Sequence, residues 1–339
     1  MSDTIWVLAI SGGGVRGIIP AVFCQKIEEL CGKPMCRQFQ LIAGTSTGGI
    51  MTMLLTRPNP DGSGQPLYSA LDVRNLYLNH VKDMFSAPPG YPPLEPGNPA
   101  KDDPGDFPMF PASSVTGTLL SYLPKVPGCE LKNALTDVVV TGYDLQSREP
   151  VLFESREAKV SEANNYYMAD VAQATSAFPG IFPVAQISSL GEPGIIHTII
   201  DGGMSGANPT ITAYSEARKI CGHDADIVLV SLGTGHYMEG ISQTIQSGGF
   251  NQWGPVLSDV LFDATDHVTD DEANELRGQN YFRFQINLPK EWSGTATPGD
   301  VGTLALAAEQ ALTTGTLVET VQRLKARLDS SAARGAVAR

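Results

Sequence analysis

The chain has 339 residues, of which 42% are hydrophobic and 17% are charged, so it can bury a large core and global disorder is excluded. Its formal net charge of -13 argues against a nucleic-acid binder, because such proteins need a basic surface that neutralises phosphates. The same acidic balance argues against broad electrostatic docking on anionic membranes.

The cysteines and the apolar run near the N-terminus indicate the cellular compartment of the protein. Five cysteines without a CxxC pair predict reduced thiols, as in an intracellular protein: Cys24, Cys31, Cys36, Cys129 and Cys221. No Cys or His spacing matches a metal site, so we expect no bound metal. The apolar run Ile5–Ile10 is too short for a spanning helix and lacks the flanks of a signal peptide. We therefore expect a cytoplasmic protein.

The first part of the chain alternates strands, glycine turns and helices. In chain order these are strand Ile5–Ile10, turn Ser11–Gly17, a helix from Ile18 to Leu30 that stops at Cys31-Gly32, strand Gln40–Ala43, turn Gly44–Gly49 and helix Ile50–Leu55. Such alternation predicts an α/β fold, with a mostly parallel sheet and helices on its faces.

The segment 57–111 differs from what precedes it, because it holds 12 of the 24 prolines in the chain. Proline supplies no backbone donor, so this segment is predicted to be an insertion of loops around one helix, Leu71–Phe85. Two interpretations stay open for it. The insertion covers a site, or it is a rigid surface excursion with no role in access.

Regular structure resumes after the insertion. The predicted strands are Ala134–Tyr143, Pro150–Phe153, Ile195–Ile200 and Asp226–Leu232, and the predicted helices are Val171–Ser176, Thr210–Ile220 and a stretch from about Leu304 to Leu328. The small and polar tail from Ser330 onward is expected to fray.

The sequence Gly44-Thr45-Ser46-Thr47-Gly48 is a GxSxG motif at a predicted strand-to-helix junction. Flanking glycines permit a sharp turn that presents the Ser46 hydroxyl at the end of the strand. The amides at the start of the following helix favour an anion nearby. A plain glycine turn is the alternative, but the strand before and the helix after favour a nucleophile.

A second glycine segment, Gly12–Gly17, fits GxGxxG, which is typical of dinucleotide-binding folds. That interpretation needs an acidic residue ending a second strand about 20 residues later. The stretch Gly32–Cys36 is neither a strand nor acidic. We therefore favour an oxyanion hole, in which the amides of Gly13 and Gly14 each contribute about 3 kcal/mol. Arg16 either binds an anionic head group or shapes the loop through a buried salt bridge.

A serine nucleophile needs a base, and the residues leave two candidates. No histidine lies in a motif, although His236 follows a glycine turn and is the best of the five: His80, His197, His223, His236 and His267. Asp201-Gly202-Gly203 ends an apolar strand. A carboxylate is a weak base in water, but a partly desolvated Asp201 within reach of Ser46 can accept its proton directly. A structural Asp-Gly turn is the alternative.

The segments GGGVRG, GTSTG and DGG, in this order at strand ends, resemble the patatin-like phospholipases. Further segments share the resemblance: Ala174–Ala177 with Phe182-Pro183, Ala207–Pro209 and Ser231–Gly235. The resemblance spans roughly residues 5 to 240 and departs at Ser11, where the family often has Asp. It implies a three-layer α/β/α sandwich with a mostly parallel central sheet.

The resemblance also implies roles for the motif residues. Ser46 would be the nucleophile, Asp201 the general base, and Gly12, Gly13 and Gly14 the oxyanion hole. The family uses no metal or organic cofactor and forms an acyl-enzyme that water hydrolyses. We accordingly expect a catalytic domain over 1–290, with the insertion at 57–111, and a helical extension over 291–339.

The expected function is a lipid acyl hydrolase of the phospholipase A or lysophospholipase type. Its partners would be a phospholipid or lysophospholipid and, transiently, a membrane surface. An alternative is an effector that a small signal such as a cyclic nucleotide activates. A third hypothesis, a binding protein that only retains the fold, is disfavoured by the intact Ser46, Asp201 and glycine segment.

Overall fold

Strands and helices alternate along the chain, and the computed structural model describes them for residues 4–93, 107–238, 249–288 and 296–337. The strands are β1 (Thr4–Ile10), β2 (Leu41–Gly44), β3 (Asp137–Asp144), β4 (Glu149–Glu154), β5 (Ala185–Ile187), β6 (His197–Asp201), β7 (Asp226–Leu232), β8 (His236–Tyr237), β9 (Tyr281–Phe284) and β10 (Asn287–Leu288). The α-helices are α1 (Ile18–Cys31), α2 (Met35–Gln38), α3 (Thr47–Thr56), α4 (Ala70–Met84), α5 (Ala112–Tyr122), α6 (Ser155–Val160), α7 (Met168–Thr175), α8 (Thr210–Cys221), α9 (Phe250–Arg277), α10 (Val301–Thr313) and α11 (Val318–Val337).

The main sheet has the strand order β5-β6-β3-β2-β1-β7-β9, with β4 paired to β3, in the described part of the chain. β1, β2, β3, β7 and β9 run parallel, whereas β4, β5 and β6 join by antiparallel pairing. Ile10 lies opposite both Gly44 and Leu232, so β1, β2 and β7 end at one edge of the sheet. The glycine-rich segments that follow these three strands therefore meet there.

Helices cover both faces of this sheet. Along β1, Leu8 and Ile10 pack into a core with α1, α3, α4 and α10, while Val7 and Ala9 pack on α8 at the other face. All four side chains are fully buried, and burying a Leu or Ile contributes roughly 1.5–3 kcal/mol. The predicted three-layer α/β/α sandwich with a mostly parallel sheet is confirmed.

The insertion contains the predicted helix, now bounded as α4. Ser69 begins it with a capping box, in which the Ser69 hydroxyl accepts from the Asp72 amide and the Asp72 carboxylate accepts from the Ser69 amide. Near the end of the insertion, Met109 and Phe110 donate their amides to the loop that follows α7, at 2.8 and 2.9 Å. Both ends of the insertion are thus attached to the core, while residues 94–106 lie outside the described residues.

Several elements differ from the sequence-based expectation. The sequence analysis did not predict α5 and α9. The Gly254-Pro255 pair is typical of a loop, yet it lies in the first turns of α9, a helix of 28 residues. The stretch predicted as one helix from Leu304 to Leu328 is two helices, because Gly315 lies where the chain breaks between them.

The C-terminal helices can be compared with the predicted tail from Ser330 and the predicted extension over 291–339. α11 continues through most of the predicted tail to Val337, since alanines and arginine are good helix formers, and fraying of the tail stays a prediction. Leu304 and Leu324 share the core of β1. The division into 1–290 and 291–339 stays a prediction. No helix among the described residues is both long and apolar enough to cross a membrane.

Candidate active site

Ser46 lies in the sharp turn between β2 and α3. Its backbone angles, φ 55° and ψ -122°, are rare for a residue with a side chain and present the hydroxyl at the start of α3. The Ser46 amide donates to the Thr175 hydroxyl at 2.8 Å, which helps to hold the turn. A Cβ added to Gly48 would lie 2.1 Å from the carbonyl oxygen of Ile10, so only glycine fits there.

Asp201 is the last residue of β6, and its side chain is buried with 1% of the residue exposed. Burial raises the pKa of this carboxyl to about 7, although hydrogen bonds from the Gly203 amide and from the Ser46 hydroxyl act to lower it. The Gly203 amide donates to Asp201 Oδ1 at 2.7 Å. The fold therefore brings Ser46 and Asp201 together, and gives the carboxylate a proton affinity near neutrality.

The glycine segment after β1 faces Ser46, but its three glycines are not equivalent. The Gly12 amide donates to the carbonyl oxygen of Ala207 at 2.9 Å. In the part of the chain that the structure describes, the amides of Gly13 and Gly14 donate to no protein acceptor. The prediction that Gly12 also serves an oxyanion is therefore wrong in this geometry, because its only amide proton is used.

Arg16 follows within the short 3-10 helix Gly14–Gly17 and is 9% exposed. It donates Nη1 to the carbonyl oxygen of Gly235 at 3.1 Å, and its guanidinium lies 4.8 Å from the centre of the Tyr237 ring. No carboxylate pairs with Arg16 within the described ranges, so the predicted loop-shaping salt bridge is not formed there. The guanidinium therefore brings a positive charge to the site that no carboxylate of the described residues neutralises.

One cavity of about 370 Å³ contains all of these groups. Besides Ser46, Asp201, Gly12, Gly13, Gly14 and Arg16, its lining is largely apolar and includes Ile50, Tyr77, Met84, Phe85, Met109, Phe110, Val115, Phe178, Ile181, Phe182 and Phe262. The Phe85, Phe110 and Phe182 rings form a wall, with centroids 5.4 to 5.8 Å apart. Because Phe85 and Phe110 belong to the insertion, this segment lines the cavity, and its role in access stays a prediction.

Comparison with known proteins decides the family. A family model described as patatin-like phospholipase matches residues 8–214, which hold the glycine segment, Ser46 and Asp201. The chain belongs to the patatin-like phospholipase family. The sequence resemblance is thereby confirmed at the level of the family.

Plant members of the patatin-like phospholipase family align with most of the chain. Patatin-like protein 3 of Arabidopsis thaliana is 27% identical over 90% of this chain and 77% of its own length. Patatin-like protein 2 of Arabidopsis thaliana is 30% identical over 69% of this chain, which spans 61% of that relative. Patatin-like protein 2 of Oryza sativa subsp. indica is 32% identical over 63% of this chain, which spans 53% of that relative.

Two solved structures also align. VipD from Legionella pneumophila is 13% identical with a TM-score of 0.37, over 93% of this chain and 67% of its own. The type III effector protein ExoU is 12% identical with a TM-score of 0.38, over 96% of this chain and 54% of its own. Similarity at this level carries no argument about the function of this family member.

The five histidines lie away from the Ser46 cavity, since none of them lines it. The best sequence candidate, His236, points its Nε2 to Asp266 at 3.2 Å and stacks on His267 at 4.5 Å. Its pKa is lowered by burial. In this member of the patatin-like family, Asp201 is thus the carboxylate that lines the cavity together with Ser46.

Sequence reasoning missed the apolar lining of the cavity. The rings come from α4, the end of the insertion, the loop after α7 and α9, and no motif connects these segments. Helical spacing in α4 was the one available signal, and it places Tyr77 on the buried face. Phe262 and Ala296–Pro298 lie beyond the matched 8–214. Among the described residues, no His, Cys, Asp or Glu cluster could hold a metal ion.

Proposed function

We propose that this protein is a lipid acyl hydrolase of the phospholipase A or lysophospholipase type, with Ser46 as nucleophile and Asp201 as general base. One observation carries the proposal: Ser46, Asp201 and the amides of Gly13 and Gly14, which find no acceptor among the described residues, line a single apolar cavity. Nucleophile, base and oxyanion donors at one place are the requirements of acyl transfer.

In the first step Asp201 accepts the Ser46 hydroxyl proton while Oγ attacks the ester carbonyl carbon. The carbonyl oxygen becomes negative and receives hydrogen bonds from Gly13 and Gly14, each worth about 3 kcal/mol in the transition state. The ester bond then breaks, and Asp201 returns its proton to the leaving alcohol. Water, deprotonated by Asp201, attacks the acyl-Ser46 ester, and the proton returns to Ser46 as the fatty acid leaves.

The cavity lining supports a lipid substrate. The wall of Phe85, Phe110 and Phe182 offers an apolar surface to a fatty-acyl chain. Arg16 supplies a cation for an anionic head group, since a guanidinium matches phosphate and carboxylate geometry. Such a substrate resides in a lipid aggregate, so transient contact with a membrane surface belongs to the proposal. Met109, 57% exposed at the cavity, is suited to that contact.

The test combines activity with covalent labelling. Fatty-acid release from phosphatidylcholine vesicles is measured for the wild type and for Ser46→Ala, which we expect to be inactive while remaining folded. A fluorophosphonate probe, located by mass spectrometry, should label Ser46. Labelling at Ser176, whose hydroxyl also lies at this cavity but donates to the Ala172 carbonyl at 2.7 Å, would contradict the assignment.

A further inference from the structure

Phe262 of α9 lies directly against the loop that carries Asp201. A Cβ added to Gly203 would be 3.1 Å from both Cε1 and Cζ of the Phe262 ring, and also 3.1 Å from Asp201 Oδ1. The ring edge and the carboxylate oxygen therefore approach the same point beside Gly203. A side chain at residue 203 would make this packing tight, so glycine suits the position.

A second aromatic ring supports Phe262 at this position. Phe178, in the loop after α7, packs edge-to-face on Phe262 with 5.5 Å between ring centroids. The same loop holds the base through its backbone, because Ala177 accepts the Asp201 amide at 3.1 Å. Both rings line the Ser46 cavity. Edge-to-face pairs of this kind stabilise by about 0.5–1.5 kcal/mol beyond their burial.

The surroundings of Asp201 are consistent with an apolar cover. Burial is the largest influence on the pKa of this carboxyl and raises it, while hydrogen bonds from the Gly203 amide and the Ser46 hydroxyl lower it. The ionisable side chains that line the cavity with it are Arg16, Tyr77 and Tyr237. On α9, one turn beyond Phe262, Asp266 is already paired with Arg283 and His236.

We propose that Phe262, supported by Phe178, is a positioning residue that excludes water from Asp201 and so sets the pH range in which this base works. The inference rests on the proposed function, in which Asp201 takes the proton of Ser46. The shielding ring comes from outside the segment that matches the family model, so α9 contributes to the chemistry without contributing a reacting group.

The test is the pH dependence of kcat/KM on a soluble p-nitrophenyl ester. In Phe262→Ala water reaches the Asp201 carboxylate. The acid limb of the kcat/KM profile should therefore move to lower pH by about one unit. Phe262→Leu keeps an apolar cover and should stay close to the wild type. Leu261→Ala is the matched control, because Leu261 is the neighbouring residue on α9, is 47% exposed and does not line the cavity.

A second readout is independent of substrate binding. The rate of Ser46 inactivation by a fluorophosphonate should show the same shift of its acid limb in Phe262→Ala. If that variant does not fold, Phe262→Gln retains bulk while adding a polar amide, and it should shift the limb in the same direction. An unchanged limb in a folded variant, with Asp201→Asn inactive, would overturn this inference alone. Full activity of Asp201→Asn would overturn the proposed function instead.

Discussion

Thr234 donates its hydroxyl to the carbonyl oxygen of Gly12 at 3.0 Å, and thereby ties the segment after β7 to the glycine segment after β1. The Thr234 side chain also fills the space beside Gly13, where an added Cβ would lie 2.4 Å from Thr234 Oγ1. The glycine segment is thus held against a neighbouring loop with no room for a side chain. The position of the Gly13 amide depends on that contact.

Gly13→Ala should therefore lower kcat by about 100- to 1000-fold, because the new methyl group displaces an oxyanion donor. Steady-state kinetics on a soluble ester measure the effect, and KM should change much less. Gly117→Ala is the control, since its Cβ would meet no atom within 4 Å on α5 and alanine favours a helix. Wild-type kcat in Gly13→Ala would remove Gly13 from the oxyanion hole.

The two candidate bases make opposite predictions. Asp201→Asn should reduce ester hydrolysis by about 10³-fold or more, because the amide cannot accept the Ser46 proton. His236→Ala should retain activity, since His236 pairs with Asp266 and does not line the cavity. Circular dichroism verifies that both variants are folded. The reverse pattern, with Asp201→Asn active and His236→Ala inactive, would restore the histidine as base.

Part of this site could be predicted from the sequence because its residues lie at strand ends. Apolar runs followed by glycines marked β1 and β7, and the same pattern placed Ser46 and Asp201 at strand ends. The pattern did not show that β6 runs antiparallel to β3, with Asp201 opposite Gly142, and this register is what brings Asp201 to the edge where β2 ends. The donation from Gly12 to Ala207 could not be predicted, because it depends on how two distant loops meet. The contribution of Phe262 to the cavity could not be predicted for the same reason, because this residue lies in a helix whose acidic sequence has no motif.

Burial of Asp201 should also appear in the stability of the protein. The pKa of this carboxyl rises from 3.8 to about 7 on folding, so the folded state favours its protonated form. Stability contributed by Asp201 is therefore greatest at low pH and is lost as the pH rises between these two values. The full loss corresponds to about 4 kcal/mol.

Asp201→Asn removes this titration and should stabilise the protein most at alkaline pH. Urea unfolding of both proteins at about pH 6 and about pH 8.5 measures the difference in unfolding free energy. We expect the advantage of the variant to be about 1 kcal/mol larger at the higher pH. An advantage that is equal at both values would mean that Asp201 titrates normally in the folded protein.

Arg16 is expected to act on the head group more than on the chemistry. Arg16→Gln removes the buried charge while keeping a donor for the Gly235 carbonyl, so the loop contact can persist. KM for a phospholipid should rise by about tenfold, the equivalent of one charge-assisted hydrogen bond, with a smaller change for an uncharged p-nitrophenyl ester. An equal rise in KM for both substrates would show that Arg16 shapes the loop and does not bind the head group.

The preformed site predicts activity without an added signal. Ser46 and Asp201 already line one cavity, and its volume is about 370 Å³. A conformational activator can act only by shifting a population toward a competent state, and little shift remains when that state is already adopted. Fatty-acid release from phosphatidylcholine vesicles should therefore be the same with and without added cyclic nucleotides, while Ser46→Ala provides the background. Activity that appears only with the nucleotide would favour the effector hypothesis.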